Sequence, residues 1–264
     1  MTQIKNSKVL ITGASGGLGQ AIAKKLASLG AKVILTSRRS EILQNLADSL
    51  GGEFIPADLS DPTAAKKLFE KINDIDILVL NAGLPATGKF EDMDIQEIEK
   101  IMRVNLYSPL ELSKLFLPGM LKRGSGHIVF VSSLSGKAAT PGSSIYSATK
   151  FGMRGLAFGM RADLNDNNIG VSVVSPGFIR DAGMFADAKI ELPKGVTTRT
   201  PEDVADAVVK VTEKNLAELD VAPVTMWMGA KIALVAPEFS RKITKIMGAE
   251  STAQKLAEGQ KDKK

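Results

Sequence analysis

The feature that most constrains the fold is an alternation of short apolar runs with longer helical patterns. This alternation is typical of βαβ units, which build a parallel sheet covered by helices on both faces. Strands are predicted at Lys8–Thr12, Lys32–Ser37, Glu53–Pro56, Asp76–Leu80, His127–Ser132 and Gly170–Val174. Helices are predicted at about Leu18–Leu29, Ser40–Leu50, after Pro62, at Ile95–Leu121 and at Ser144–Asn165. The sequence therefore predicts a doubly wound α/β fold.

The chain length and the end of the alternation indicate how the domain is organised. A length of 264 residues suits one α/β domain. We expect residues 5–177 to form its core and residues 178–200 to form a lid, followed by a helix that Thr200 caps and Pro201 opens. Several lid residues are apolar, which favours an apolar substrate: Met184, Phe185, Ile190 and Leu192.

Residues 224–264 form an irregular C-terminal segment with a basic tail, and the part up to Met247 leaves three alternatives open. Apolar residues such as Trp227, Met228 and Phe239 alternate there with lysines and arginine. The segment could be a core-facing helix pair broken at Pro237, or a flexible apolar rim for a greasy substrate. It could also be a surface element that rests on a membrane or a partner.

Composition narrows the functional classes. Hydrophobic residues make up 44% and charged residues 24%, as in an ordinary soluble globular protein. The chain has no cysteine, which excludes disulfides and thiolate sites. No secretory leader or membrane-spanning run is visible. The formal charge of +5 includes the lysines of the tail Lys255–Lys264, which we interpret as solvated. We expect a cytoplasmic protein with no nucleic-acid partner and no metal.

A glycine-rich run follows the first predicted strand and leads into the first helix. It reads Thr12–Gly19 and contains Gly13, Ser15, Gly17 and Leu18. In this position glycines let the backbone approach a pyrophosphate and direct a helix N-terminus at it. The spacing differs from G-x-G-x-x-G and lacks the Gly-Lys-Ser/Thr ending of a P-loop. A dinucleotide site on a Rossmann-type sheet is predicted, the alternative being a tight turn without a ligand.

The end of the second predicted strand bears on the choice of dinucleotide. An acidic residue there would accept from a ribose 2′-hydroxyl, whereas a basic residue accommodates a 2′-phosphate. The residues present are Ser37, Arg38 and Arg39. This pattern predicts NADP(H), with Arg38 as the principal phosphate contact and Arg39 assisting. The alternative is that both arginines are solvated loop charges.

Tyr146 and Lys150 lie four residues apart in a helical pattern, so their side chains share one face. A free phenol titrates near 10, too high for efficient proton transfer near neutrality. An ammonium group nearby would lower that pKa. Helices often contain such a pair by chance, so the spacing alone is weak evidence for catalysis.

The order of the motifs supplies the missing context. The glycine run, Asn81-Ala82-Gly83, Ser132-Ser133, Tyr146-x-x-x-Lys150 and Pro176-Gly177 follow one another in a way that resembles the short-chain dehydrogenase/reductase family. The resemblance implies that Tyr146 is the general acid and that Lys150 lowers its pKa and holds the nicotinamide ribose. It also implies that Ser133, with Ser132 ranked second, binds the substrate carbonyl, and that Asn105 anchors a water in the proton relay.

The same resemblance implies further cofactor contacts. Asp58 and Leu59 match the adenine-binding pair, and Asn81, Ala82 and Gly83 match the segment beside the adenosine. Pro176 and Gly177 match the turn that flanks the nicotinamide. Structural alternatives stay open: Asn105 could cap or kink its helix, Asn81 could stabilise a turn, and Ser133 could be a turn residue. His127, the only histidine, is predicted to be structural.

Two departures from the family pattern affect these expectations. No threonine follows Pro176-Gly177 closely, which removes an expected contact to the cofactor carboxamide. Glu218–Pro223 replaces the family's Thr-Gly strand and Asp-Gly-Gly turn, so a homodimer through the two long helices is favoured over a tetramer.

We expect an NADP(H)-dependent reductase or dehydrogenase acting on a carbonyl or secondary alcohol. The competing class is a noncatalytic NADP-binding sensor or scaffold, which loss of Tyr146 or Lys150 would have favoured.

Overall fold

A computed structural model describes residues 2–183, residue 186 and residues 197–246. Within these residues, seven parallel strands form one sheet in the order β3-β2-β1-β4-β5-β6-β7. The strands are β1 (Lys8–Thr12), β2 (Lys32–Thr36), β3 (Glu53–Phe54), β4 (Ile77–Leu80), β5 (Gly126–Val131), β6 (Ile169–Pro176) and β7 (Glu218–Val221). The predicted parallel sheet is confirmed.

Helices cover both faces of this sheet. They are α1 (Gly17–Ser28), α2 (Ser40–Leu50), α3 (Ala64–Ile72), α4 (Ile95–Met102), α5 (Ser108–Arg123), α6 (Ser144–Asp163), α7 (Pro201–Lys214), α8 (Val224–Val235) and α9 (Pro237–Ile246). Alternate strand residues point to opposite faces. Leu10, Leu78 and Ile128 therefore pack with α3, α5 and α6, whereas Val9, Val79 and Val129 pack with α1, α2 and α7. The chain is a single doubly wound domain.

Most predicted boundaries hold within one or two residues, and the exceptions have physical reasons. β3 stops at Phe54 instead of continuing to Pro56, which has no N–H for a sheet ladder. β7 was not predicted. The predicted helix Ile95–Leu121 is interrupted by a π-helical turn at Arg103–Tyr107 that joins α4 to α5. Such turns are frequent at functional sites.

Helix α7 begins as its sequence predicts. Thr200 Oγ1 accepts from the N–H of Asp203 at 3.1 Å, and Asp203 Oδ2 accepts from the N–H of Thr200 at 2.9 Å. This is a capping box, which satisfies N–H groups that have no partner inside the helix.

For the C-terminal segment, one alternative was a helix pair that is broken at Pro237 and faces the core. The structure confirms the break and contradicts the position in the core. The break at Pro237 separates α8 from α9 as predicted. A core-facing pair is wrong, because Ala230 is the buried residue of α8 while Val224, Met228 and Val235 are exposed. In the described part of the chain, no helix combines the length and apolarity needed to cross a bilayer. The lid residues Met184, Phe185, Ile190 and Leu192 and the tail Lys255–Lys264 lie outside the described residues.

Candidate active site

The site begins where the strand order reverses, between β1 and its neighbour β4. Ligands of open α/β sheets bind in the crevice outside the carboxyl ends of strands at such a point. Thr12 joins the two strand ends, since its Oγ1 accepts from the N–H groups of Asn81 and Ala82, each at 3.0 Å. The Asn81 side chain donates in return to the Thr12 carbonyl at 3.0 Å. Asn81 thus stabilises the turn, and Gly83 follows it.

The glycine run forms a cradle that a side chain would fill. Gly13 has a φ of +65°, and a Cβ there would lie 2.8 Å from the Ala82 Cα. A Cβ on Gly19 would lie 2.3 Å from the Gly13 carbonyl oxygen. The N-cap of α1 is Gly16, which offers no side-chain oxygen to the first N–H groups of the helix. Gly17 and Leu18 supply the first turn, so the cradle fits an anionic pyrophosphate.

The two arginines after β2 are exposed and occupy different places. Arg39 contacts the glycine run: Nη2 donates to the Ser15 carbonyl at 2.7 Å, and Nε donates to the Ser15 hydroxyl at 3.1 Å. Ser37 Oγ also donates to that hydroxyl, at 2.7 Å. Arg38 instead acts on Asp58 by its charge. The structure therefore brings Arg39, rather than Arg38, into direct contact with the glycine run.

Asp58 and Leu59 follow β3 on the same side of the site. Burial would raise the pKa of Asp58, but hydrogen bonds from the N–H and hydroxyl of Ser60 outweigh it, helped by the charge of Arg38, and the pKa lies below its usual value. Leu59 is buried, and its carbonyl accepts from Ser108 Oγ at 2.8 Å. An anionic carboxylate and an apolar side chain are thus held at the outer end of the crevice.

Tyr146 and Lys150 both lie on α6, near the carboxyl end of β5. Tyr146 is half-buried, and its hydroxyl hydrogen-bonds with the Ser133 side chain. Burial raises the pKa of Tyr146 to about 12, although the Ser133 hydrogen bond opposes that rise. The lowering of this pKa by Lys150 that the resemblance implies stays a prediction. At neutral pH the phenol carries its proton.

Lys150 is buried, and Nζ donates to the Val131 carbonyl at 3.1 Å. Nζ lies 5.6 Å from the centroid of the Tyr146 ring. Burial lowers the pKa of Lys150 to about 8, because removal from water disfavours the ammonium form. An ammonium group has three donors, so the bond to Val131 leaves others for a ligand.

The two serines after β5 have different partners. Ser133 Oγ accepts from the Ser135 N–H at 3.1 Å and lies beside Tyr146. Ser132 is buried, and its Oγ donates to the Lys150 carbonyl at 3.2 Å. Ser133 therefore remains the serine placed to contact a substrate, while Ser132 joins its loop to α6.

Asn105 lies in the π-helical turn and is fully buried. Its Oδ1 accepts from the Leu84 N–H at 2.7 Å, and its Nδ2 donates to the Leu84 carbonyl at 2.9 Å. Both ends of the amide are thus used to hold the segment after Gly83. The Asn105 side chain therefore has a structural role other than capping or kinking its helix, and its role in a proton relay stays a prediction.

Pro176 ends β6, and the Gly177 N–H donates to the Val221 carbonyl at 3.0 Å. A Cβ on Gly177 would lie 3.2 Å from the Met226 Cε and 3.3 Å from a Leu134 methyl. The turn thus lies beside the connection between β5 and α6, residues 132–143, which we call the Ser133 loop, with apolar side chains around it. Four of the five ordered motifs thus lie at the carboxyl ends of β1, β4, β5 and β6, and the fifth, the Tyr146–Lys150 pair, lies on α6.

Comparison with known proteins agrees with this geometry. The family model described as short chain dehydrogenase matches residues 7–192. The chain belongs to the short-chain dehydrogenase/reductase family. This match spans the glycine run, the Ser133 loop and the Tyr146–Lys150 pair.

Individual proteins and solved structures are also similar to this short-chain dehydrogenase/reductase. It is 36% identical over 273 aligned residues to a protein of Nostoc named ketoacyl reductase HetN, covering 98% of this chain and 95% of the relative. It is similar to a closed serine dehydrogenase complexed with NADP+, with a TM-score of 0.75 at 30% identity, covering 83% of this chain and 95% of that one. A Sphingobium yanoikuyae short-chain dehydrogenase in complex with NADPH has a TM-score of 0.75 at 28% identity, with coverages of 87% and 94%.

A buried ion cluster behind the Ser133 loop was missed by the sequence analysis. Lys137 Nζ lies 2.9 Å from a Glu218 carboxylate oxygen and also contacts Asp220. Arg154, one turn beyond Lys150 on α6, donates to Glu218 at 2.8 and 3.2 Å. Burial would raise the pKa of Glu218, but hydrogen bonds from Arg154 and Lys137 hold it below its usual value. In this short-chain dehydrogenase/reductase, β7 thus connects the Ser133 loop with α6.

Proposed function

We propose that this short-chain dehydrogenase/reductase is an NADP(H)-dependent oxidoreductase that interconverts a carbonyl group and a secondary alcohol. The observation that carries the proposal is the hydrogen bond between Ser133 and a protonated Tyr146, beside the buried ammonium of Lys150. Two donors meet at one point, where a substrate oxygen would accept from both.

Each residue of the site has a separate role in the proposed reaction. A bound nicotinamide supplies or accepts the hydride at its C4 atom. Ser133 and Tyr146 hold the carbonyl oxygen while charge develops there, and the Tyr146 hydroxyl gives its proton to that oxygen. Lys150 uses its remaining donors to hold the ribose. Asn105 would anchor the relay water through its backbone carbonyl in the π-helical turn, because Leu84 occupies its side chain.

The proposed cofactor is NADP(H), held through the residues already described. Arg38 and Arg39 supply positive charge at the end of β2, where a 2′-phosphate would lie. Two of the similar solved structures contain NADP+ or NADPH, which supports the choice. Gly13, Ser15, Gly17, Leu18 and Gly19 would hold the pyrophosphate. Asp58 and Leu59 would contact the adenine, Asn81, Ala82 and Gly83 the adenosine, and Pro176 and Gly177 the nicotinamide.

The proposed substrate is apolar around its carbonyl, and the proposed direction is reduction. Leu134 and Met226 beside Gly177 offer apolar contact near the Ser133 loop. Burial keeps the Tyr146 phenol protonated at neutral pH, and the protonated phenol is the form that reduction requires. The Nostoc relative's name, ketoacyl reductase, makes 3-oxoacyl thioesters one candidate class.

The proposed assembly is a cytoplasmic homodimer through the helices α4, α5 and α6. Large apolar side chains are exposed along them, and an interface would cover these side chains. They include Ile95, Leu110 and Phe151 on the helices and Tyr107 in the π-helical turn between α4 and α5. Sedimentation of the wild type and of Leu110→Glu tests this, a dimer that becomes a monomer being the expected result.

Absorbance at the NADPH band, recorded with a panel of substrates, tests the function. The panel contains aliphatic ketones, aldehydes, steroids and 3-oxoacyl thioesters, each offered with NADPH and with NADH. We expect turnover of at least one apolar carbonyl, faster with NADPH. Tight NADPH binding without turnover of any class would favour a noncatalytic sensor or scaffold instead.

A further inference from the structure

The outer surface of α8 and the start of α9 is unusually apolar for an exposed surface. Val224 is 66% exposed, Met228 50%, Val235 86% and Phe239 57%. Trp227, Ile232 and Leu234 are also exposed. Single exposed apolar residues are ordinary, but a contiguous group of them marks an interaction surface. We call the outer surface formed by residues 224–240 and Lys242 the C-terminal face.

The spacing of these residues puts them on adjoining stripes of one helix. Val224, Met228 and Val235 lie four and seven residues apart, and Trp227 and Leu234 lie seven apart, so each set recurs after whole turns. Ala230 is buried against Leu134 and Ala222 and fixes the inner side of α8. The apolar side chains therefore cannot all turn inward without detaching the helix from the domain.

Charge indicates what would cover this face. Residues 224–246 contain the four basic residues Lys231, Arg241, Lys242 and Lys245 against the single acid Glu238. Lys231 and Lys242 are exposed, and Lys231 Nζ lies 5.9 Å from the Trp227 ring. Exposed apolar side chains that include a tryptophan and have the long side chain of Lys231 among them suit the boundary between lipid headgroups and acyl chains. A second protein copy would bring the same positive charge and repel it.

We propose that the C-terminal face binds the surface of an anionic lipid bilayer, with α8 lying in the plane of the interface. The apolar side chains enter the acyl boundary, and the lysines meet lipid phosphates. This inference goes beyond the proposed oxidoreductase function and does not depend on it. Its test therefore needs neither cofactor nor substrate.

Trp227 makes the test specific, because it is the only tryptophan of the chain. The full-length protein is titrated with vesicles of phosphatidylcholine alone and with vesicles containing phosphatidylglycerol, at low and high salt. Tryptophan emission and co-sedimentation are both recorded. We expect emission to shift to shorter wavelength and protein to sediment with the anionic vesicles, with both effects weakened by salt.

Variants separate the apolar from the charged contribution. Val235→Glu is expected to abolish the shift, and this position is too exposed to affect folding. Lys231→Gln/Lys242→Gln is expected to weaken binding by about fivefold per lysine. The matched control Lys24→Gln/Lys32→Gln removes two exposed lysines elsewhere and should bind like the wild type.

Three results would overturn the proposal. The first is no binding to anionic vesicles at low salt. The second is equal binding to neutral and anionic vesicles, which would leave the lysines without a role. The third is an emission shift without vesicles that depends on protein concentration and disappears in Val235→Glu, which would identify a second copy as the occupant.

Discussion

The Nζ of Lys150 donates to the Val131 carbonyl at 3.1 Å. This bond fixes the buried ammonium at the end of β5, because Val131 is the last residue of that strand and lies two residues before Ser133. This contact places a positive charge behind the Ser133–Tyr146 pair. It holds the charge in a position that water scarcely reaches, so the protonation state of Lys150 responds to pH near the physiological range.

The pH dependence of reduction follows from that placement. Burial lowers the pKa of Lys150 to about 8, so its ammonium is present below pH 8 and is lost above it. We expect kcat/KM for NADPH, which reports groups of the free enzyme, to fall above about pH 8 by up to about tenfold per pH unit. Lys150→Arg keeps the charge at high pH and should show no such fall, even at lower overall activity. A wild-type profile that stays level to pH 10 would contradict this role.

Arg38 and Arg39 should determine the preference for NADPH. Replacing either by Gln removes charge-assisted hydrogen bonds to a 2′-phosphate, and we expect the Kd for NADPH to rise roughly tenfold or more. The Kd for NADH should change little in Arg38→Gln, and in Arg39→Gln it should rise less than the Kd for NADPH, because Arg39 also holds Ser15 of the glycine run. Lys32→Gln, at the opposite end of β2, is the matched control for loss of one exposed charge. Isothermal titration measures all four proteins, and equal losses for NADH and NADPH would remove the 2′-phosphate assignment.

The buried cluster should contribute strongly to stability. Lys137→Met leaves the Glu218 and Asp220 carboxylates without their shared partner, and such a change costs about 3–5 kcal/mol. Lys25→Met breaks the exposed Lys25–Asp206 pair and should cost about 1 kcal/mol or less. Urea unfolding compares the two. Similar small losses would show that the cluster does not hold the Ser133 loop to β7.

His127 should make the protein sensitive to acid, far from the site. Its Nε2 lies 2.8 Å from Ser172 Oγ, which donates its own hydrogen to the Leu216 carbonyl at 2.6 Å, so His127 is the donor. Burial, reinforced by the charge of Arg161, lowers the pKa of His127 from about 6.5 to about 3. The unfolded chain therefore binds a proton between these values while the folded chain does not, and stability falls as pH falls.

The measurement for His127 is the free energy of unfolding at pH 7 and pH 5. We expect wild type to lose up to about 1.4 kcal/mol per pH unit more than His127→Gln over this range. Because both proteins share all other titrating groups, the difference belongs to His127. Identical pH dependence would show that the imidazole is not held neutral.

Much of the fold and of the site could be predicted from the sequence, because local sequence patterns specify these features. The apolar runs, the glycines after β1 and the four-residue spacing of Tyr146 and Lys150 each express short-range geometry. β7 was missed because Glu218 and Asp220 look like loop residues in isolation. Their partner Lys137 is 83 residues from Asp220 in the chain, a distance that no local pattern spans.

The surface of α8 could not be predicted in the same way. Its apolar composition suits a core helix as well as a substrate rim or a surface element, because burial depends on what packs against the helix, which composition does not specify. The pKa of Tyr146 is a second property that local sequence does not specify. Spacing predicts that Lys150 is near, whereas burial and the hydrogen bond from Ser133, both tertiary features, set the value.

The central claim is that Tyr146 gives the proton to the substrate oxygen. Single-turnover reduction by Tyr146→Phe, measured beside NADPH binding, tests it most directly. We predict a loss of about 10²- to 10⁴-fold in rate with the Kd for NADPH unchanged. A Tyr146→Phe rate within about tenfold of wild type would contradict the account.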